Sequence, residues 1–139
     1  MHLRRAYPDD EELLYEWRIR DEHAADWYEG GPVDREEHRV WFNDRVHNPA
    51  VDLFVASERQ GGLLVGMCRV DSSGEISFSV VPEQRGKGFG ARMIEEVCDE
   101  VPWRRVKASV DRTNSYGAKT LEAAGFVYRP DVDFYLLRK

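Results

Sequence analysis

At 139 residues, with 42% apolar and 33% charged side chains, the chain has the size and composition of one soluble globular domain rather than a disordered segment. Its net charge of −6 argues against a nucleic-acid partner, because phosphate contacts need a positive surface. No apolar run is long enough to span a bilayer. The opening Met1-His2-Leu3-Arg4-Arg5 leads into Tyr7-Pro8-Asp9-Asp10-Glu11-Glu12 with no signal-like apolar stretch, so a cytoplasmic protein without membrane contact is expected.

Residues 2–7 read as a first strand, broken at Pro8. The acids at 9–12 then open a helix whose dipole they complement, with Leu13, Leu14 and Trp17 along one face. Gly30-Gly31-Pro32 marks a loop, and Asp34 with Glu37 has the spacing of a capping box for a second helix that carries Val40, Trp41 and Val46. Three short strands follow at residues 51–56, 63–70 and 75–81, divided by the turn sequences Gln60-Gly61-Gly62 and Asp71-Ser72-Ser73-Gly74, so they must run antiparallel. A helix over 87–100, a strand over 106–110, a helix over 114–124 closed by Gly125, and a hairpin from 126–129 and 134–138 complete the chain. The order β-α-α-β-β-β-α-β-α-β-β predicts a single α/β (α+β) domain over residues 1–139. Its mixed, mostly antiparallel sheet has about seven strands, flanked by four helices. Cys68 and Cys98 have no metal-ligand spacing and read as buried, reduced thiols; no metal site is expected.

The chemistry concentrates in Val80-Val81-Pro82-Glu83-Gln84-Arg85-Gly86-Lys87-Gly88-Phe89-Gly90, which joins a strand directly to a helix. Three glycines in five positions let the backbone approach a ligand, and the unpaired amides of a helix start favour an anion. Arg85 and Lys87 add positive charge. The spacing is neither the G-x-G-x-x-G of a dinucleotide fold nor a Walker loop, which leaves a diphosphate site of another kind.

Arg85-x-x-Gly88-x-Gly90 after Val80-Val81-Pro82 resembles the acetyl-CoA motif of GNAT N-acetyltransferases, and Asn114, eleven residues before Gly125-Phe126, resembles that family's second signature. The resemblance covers essentially the whole chain. It implies acetyl-CoA as cosubstrate, with Val80, Val81, Arg85, Gly86, Lys87, Gly88, Phe89, Gly90 and Asn114 around it. It also implies a strand ending at Val81 that splays from the one carrying Ala108, Ser109 and Val110, with the pantetheine arm in the opening. Glu75 falls where several members place a general base. Where many members carry the tyrosine that protonates the departing sulfur, this chain has Leu121, so Tyr116, Tyr128 or Tyr135 takes that role or no side-chain acid is used. Catalytic candidates are therefore Glu75, Asn114 and Tyr116. Neither cysteine sits beside an obvious base, so direct attack in a ternary complex is expected, not a covalent intermediate.

Acceptor specificity should come from the first two helices and their loop, with Arg18, Trp27 and Tyr28 as candidate contacts. Glu16-Trp17-Arg18 followed by Glu36-Glu37-His38-x-x-Trp41-Phe42 is similar to the N-terminal half of nucleotide-linked aminosugar N-acetyltransferases, with Ile19 departing from their usual Asn. The expected partner is thus a small-molecule amine. A protein or peptide amine, or an acyl-CoA-binding module without catalysis, are the alternatives. A homodimer through the last strands follows from the same resemblance.

Overall fold

Side chains alternate across a strand, and here the apolar ones sort into two cores, one on each face of a single sheet. The computed structural model describes residues 1–24, 34–111 and 113–139. Its strands are β1 (His2–Arg5), β2 (Asp52–Ser57), β3 (Leu64–Val70), β4 (Glu75–Val80), β5 (Arg105–Ala108), β6 (Val127–Arg129) and β7 (Phe134–Arg138). Its helices are α1 (Glu11–Arg20), α2 (Arg35–His47), α3 (Phe89–Glu100) and α4 (Ser115–Ala123). The seven strands lie in the order β1-β2-β3-β4-β5-β7-β6, antiparallel throughout except for the parallel pair β4 and β5.

Along β2 and β3 nearly every residue is buried, because both faces are covered. Phe54, Ala56, Cys68 and Val70 turn toward Met93, Ile94 and Val97 of α3. Leu53, Val55 and Met67 turn toward Leu14 and Trp17 of α1 and Trp41 and Phe42 of α2. Fully burying one such aliphatic or aromatic side chain stabilises the fold by roughly 1.5–3 kcal/mol, so the two clusters hold the helices to opposite faces.

Several element ends differ from the sequence reading for identifiable reasons. The first strand stops at Arg5, because Pro8, which has no amide to donate, opens a short 3-10 turn over Pro8–Asp10. α3 begins at Phe89 instead of 87, since Gly86 and Gly88 take φ of +77° and +81°, outside any right-handed helix. β5 ends at Ala108, two residues early. At α2 the expected cap is present: the Asp34 carboxylate accepts the Glu37 amide at 2.8 Å. Cys68 and Cys98 are free and buried. Burial pushes both thiols up, Cys98 to about 11, so neither offers a thiolate near neutral pH. No described helix is long and apolar enough to cross a membrane, and no described group of acids, histidines and cysteines could hold a metal ion.

Candidate functional site

The early end of β5 opens the sheet. β4 and β5 are in register only at Glu75 with Lys107 and Ile76 with Ala108, while β4 continues to Val80. Beyond Ile76 the only strand that β4 pairs with is β3. The Val81 amide donates to the Val65 carbonyl at 2.8 Å, which sets the alternation: odd residues of β4 bond to β3, and Phe78 and Val80 turn their backbone polar groups into the gap. Val81 itself is satisfied by protein on both sides, since its carbonyl accepts the Gln84 amide at 2.8 Å. Of the expected pair, Val80 is therefore the residue that faces the opening.

At the wide end of the gap stands the glycine turn. Gly86 and Gly88 have left-handed backbones with open space where a Cβ would stand. The Arg92 amide donates to the Gly88 carbonyl at 3.3 Å, so the amides before it lie ahead of the helix's own ladder and are available to an anion. Gly90 is required for another reason: a Cβ there would lie 2.9 Å from Thr120 Cγ2, 3.0 Å from the Tyr116 hydroxyl and 3.1 Å from Val80 Cγ2. The turn, Tyr116 and Thr120 border a cavity of about 210 Å³ that Lys119, a cation unremarked in the sequence, also lines. Lys87 reaches back to the Gln84 side chain at 3.3 Å. Phe89 packs partly buried against the α3-side core.

Asn114 and Tyr116 connect this cavity to the strand gap. Asn114 caps α4, its side-chain oxygen accepting the Gly117 amide at 2.8 Å, and it lines the gap with Ile76, Ser77, Phe78, Ser109 and Val110. Tyr116 lies under the Arg85 guanidinium, 5.1 Å from ring centre, and burial raises its pKa, so it remains a phenol near neutral pH. Between them a narrow pocket of about 10 Å³, room for scarcely one water, is enclosed in part by Asp21, His23, Phe78, Ser79 and Arg85. Arg85 turns into this pocket: its Nε donates to the Val80 carbonyl at 3.0 Å and an Nη lies 3.4 Å from Asp21.

Glu75 starts β4 at the closed end of the gap. It shares with Ser77 and Ser79 the face turned to α1 and α2, roughly 7 Å along the strand from Ser77. Arg18 is not brought to the opening: it is 5% exposed, with Nη1 3.4 Å from His38 Nδ1 between α1 and α2. Trp27 and Tyr28 lie outside the described residues. Leu121 is fully buried in the core on the inner side of α4. Sequence reasoning missed Asp21 and Ser79, which are 58 residues apart and joined by a hydrogen bond from the serine hydroxyl to the carboxylate. The only local signal was that Glu75, Ser77 and Ser79 alternate as polar residues along one face of a buried strand.

The sequence matches the family described as acetyltransferase (GNAT) domain over residues 1–127. Among solved structures, the spermidine N-acetyltransferase from Vibrio cholerae, in complex with CoA and spermine, superposes with a TM-score of 0.77 at 21% identity, covering 92% of this chain and 81% of that one. The aminoglycoside acetyltransferase AAC(6')-Ib, in complex with coenzyme A and kanamycin, superposes with a TM-score of 0.74 at 19% identity, covering 99% and 94%. At these identities the likeness is one of fold. No curated protein matches the sequence significantly.

Proposed function

The chain belongs to the acetyltransferase (GNAT) domain family, enzymes whose acetyl donor is acetyl-CoA, and from that premise we propose that it acetylates the primary amine of a small molecule by direct attack in a ternary complex. One observation carries the reading: the parted strands β4 and β5 lead straight to a glycine turn that lines a single cavity. In this reading the amides of residues 86–90 hold the donor's diphosphate, helped by Arg85 and Lys87, and the backbone of Phe78 and Val80 bonds the pantetheine arm. Asn114 borders the arm's path.

The amine nitrogen attacks the thioester carbonyl carbon, the carbon–sulfur bond breaks, and the sulfur leaves as a thiolate. Glu75, on the α1-facing side of β4, accepts the ammonium proton through water, and Tyr116 is the nearest phenol able to protonate the thiolate. The neighbours' acceptors, spermine and kanamycin, are polycationic small amines, which supports a small amine here. The N-terminal similarity to aminosugar enzymes makes a nucleotide-linked aminosugar the leading acceptor, with a peptide amine as the alternative within the same chemistry. Leu121 in the usual tyrosine position favours a second reading, an acyl-CoA-binding module without turnover. One sheet extending from His2 to Arg138 supports treating the chain as a single domain, and β6 at its edge, with Val127 exposed, is the strand a homodimer would use.

Thiol release from acetyl-CoA, screened against aminosugar nucleotides, polyamines, amino acids and lysyl peptides, tests the reading. Turnover with any of them supports it. Micromolar CoA binding by calorimetry with no thiol released from the whole panel identifies the binding module instead.

A further inference from the structure

We propose that the acceptor amine carries phosphate, and that the face of β5, β7 and β6 turned away from α3 is the platform that holds it. The proposal deepens the acetyltransferase reading and rests on it.

The two faces of this half of the sheet are covered differently. Val106, Ala108, Tyr135 and Leu137 turn toward the α3-side core. Their neighbours along the strands therefore turn the other way: Arg105 and Lys107 of β5, and Phe134, Leu136 and Arg138 of β7. Val127 and Arg129 of β6, opposite Leu136 and Phe134, share that face. The core beneath α1 and α2 is built on β2 and β3, and no described residue of β5, β6 or β7 enters it. Val127 is 63% exposed, and Phe134 and Leu136 are half-buried.

This face is basic in a chain whose net charge is −6. Arg105 stands directly opposite Arg138, and Lys107 lies on the same side with its Nζ 5.1 Å from the centre of the Phe134 ring. Arg129 is held by Asp131 at 3.3 Å, but among the described residues no carboxylate pairs with Arg105, Lys107 or Arg138. Like charges directly opposite one another on paired strands destabilise a sheet, and an anion set between them relieves the repulsion. Phosphate suits two guanidinium groups best, since each fork can bond it bidentately. Phe134 and Leu136 offer an apolar surface to the sugar or base attached to it.

Position ties the platform to the reaction. Lys107 is the register partner of Glu75, and one pair farther on, after Ile76 with Ala108, the strands part. Arg105 lies about 7 Å from Lys107 in the opposite direction along the strand. A phosphate held by these cations leaves the rest of its molecule lying toward the gap, where the amine meets the thioester in the proposed reaction. The same charges repel a polycation, so spermidine and kanamycin are expected to be poor acceptors.

The test offers one amine at three charges: glucosamine, glucosamine-6-phosphate and uridine-diphosphoglucosamine, with spermidine for contrast. Thiol release is compared for wild type, Arg105→Gln/Arg138→Gln and Arg105→Lys/Arg138→Lys. In the wild type kcat/KM should be about tenfold higher for at least one phosphorylated sugar than for glucosamine or spermidine. A lead for the monophosphate marks a sugar phosphate as the acceptor, and a lead for the diphosphate marks a nucleotide sugar. The glutamine pair should shrink that preference about fivefold, through KM, while the lysine pair keeps most of it. Arginines with a merely structural role would shift all the amines alike. No preference in the wild type, or the same preference in the glutamine pair, overturns the proposal. So does a wild type that sediments as a dimer beside a monomeric glutamine pair, which assigns the face to a second copy of the chain. If the glutamine pair does not fold, Lys107→Gln should shrink the preference about threefold, and an unchanged preference overturns the proposal. A wild type that binds CoA but releases no thiol with any amine defeats the acetyltransferase reading. The platform is then judged by calorimetry of uridine diphosphate on the CoA-loaded protein: binding weakened about fivefold in the glutamine pair keeps it, and no binding removes it.

Discussion

The two sides of the sheet gap are built on different principles. On the α3 side the proposed donor site is made of backbone: left-handed glycines, a helix start and the stretch of β4 that β5 does not reach. The α1 side of the sheet is instead packed with buried charge and aromatic rings, with Arg18, Asp21, His38 and Arg69 all nearly inaccessible. Backbone sites depend on local conformation and are disturbed by a single side chain. Charged sites depend on partners far away in the chain and are disturbed by protonation. The contrast is sharpened, or broken, by four experiments.

The largest effect is expected from Gly88→Asp. A non-glycine residue at φ +81° costs about 1–2 kcal/mol, and its carboxylate repels the diphosphate. Acetyl-CoA affinity should drop on the order of a thousandfold, about 4 kcal/mol, by calorimetry, while circular dichroism stays that of the wild type. Near-native affinity in a folded variant would break the donor side of the comparison.

Next comes the pH response of the α1 side. His38 is fully buried, 5.6 Å from Trp41 and stacked 6.4 Å from Phe42, and burial lowers its pKa from the ordinary 6.5 to about 4, with Arg18 and Arg35 adding to the shift against Glu11. Between those two values the unfolded chain binds a proton that the folded one does not, so this group's contribution is full above about pH 6.5 and is lost as pH falls toward 4. The loss is at most about 3 kcal/mol. Urea unfolding at pH 7 and at pH 4.5 should show it, and His38→Gln should be flatter by that amount.

A smaller change is expected from Glu75→Gln, a turnover about tenfold slower at neutral pH. The deficit should close as the pH rises and the amine loses its own proton. A pH-independent deficit removes Glu75 as the base. Smallest is Tyr116→Phe: kcat should fall about fivefold with CoA affinity within twofold, and an unchanged kcat leaves the thiolate to be protonated by water.

What could be read without coordinates was the part carried by short-range rules. Gly86, Gly88 and Gly90 announced a backbone site by their spacing, Asp34 and Asn114 announced helix starts, and both caps are in place. Alternation and turn sequences were enough to locate seven strands along the chain, though not their order in the sheet. The charged residues resisted the same treatment. Arg18 looked like an acceptor contact because it sits in an aromatic helix near a loop, yet helix packing turns it against His38. Val81 looked equivalent to Val80, but pairing with β3 reserves its amide and only its neighbour faces the gap. Asp21 attracted no notice, since nothing within its own helix distinguishes it from Asp9 or Glu12.

The sequence alone determined the backbone devices: where glycine permits a left-handed turn, where a helix is capped, which strands alternate. Those depend on dihedral preferences and hydrogen bonds spanning a few residues. Only the tertiary structure decided which charges meet, because the partners of Asp21, at Ser79 and Arg85, come from elements brought together by burial of two separate cores. Electrostatic strength follows distance and burial in space, and neither can be read from the spacing of residues along the chain.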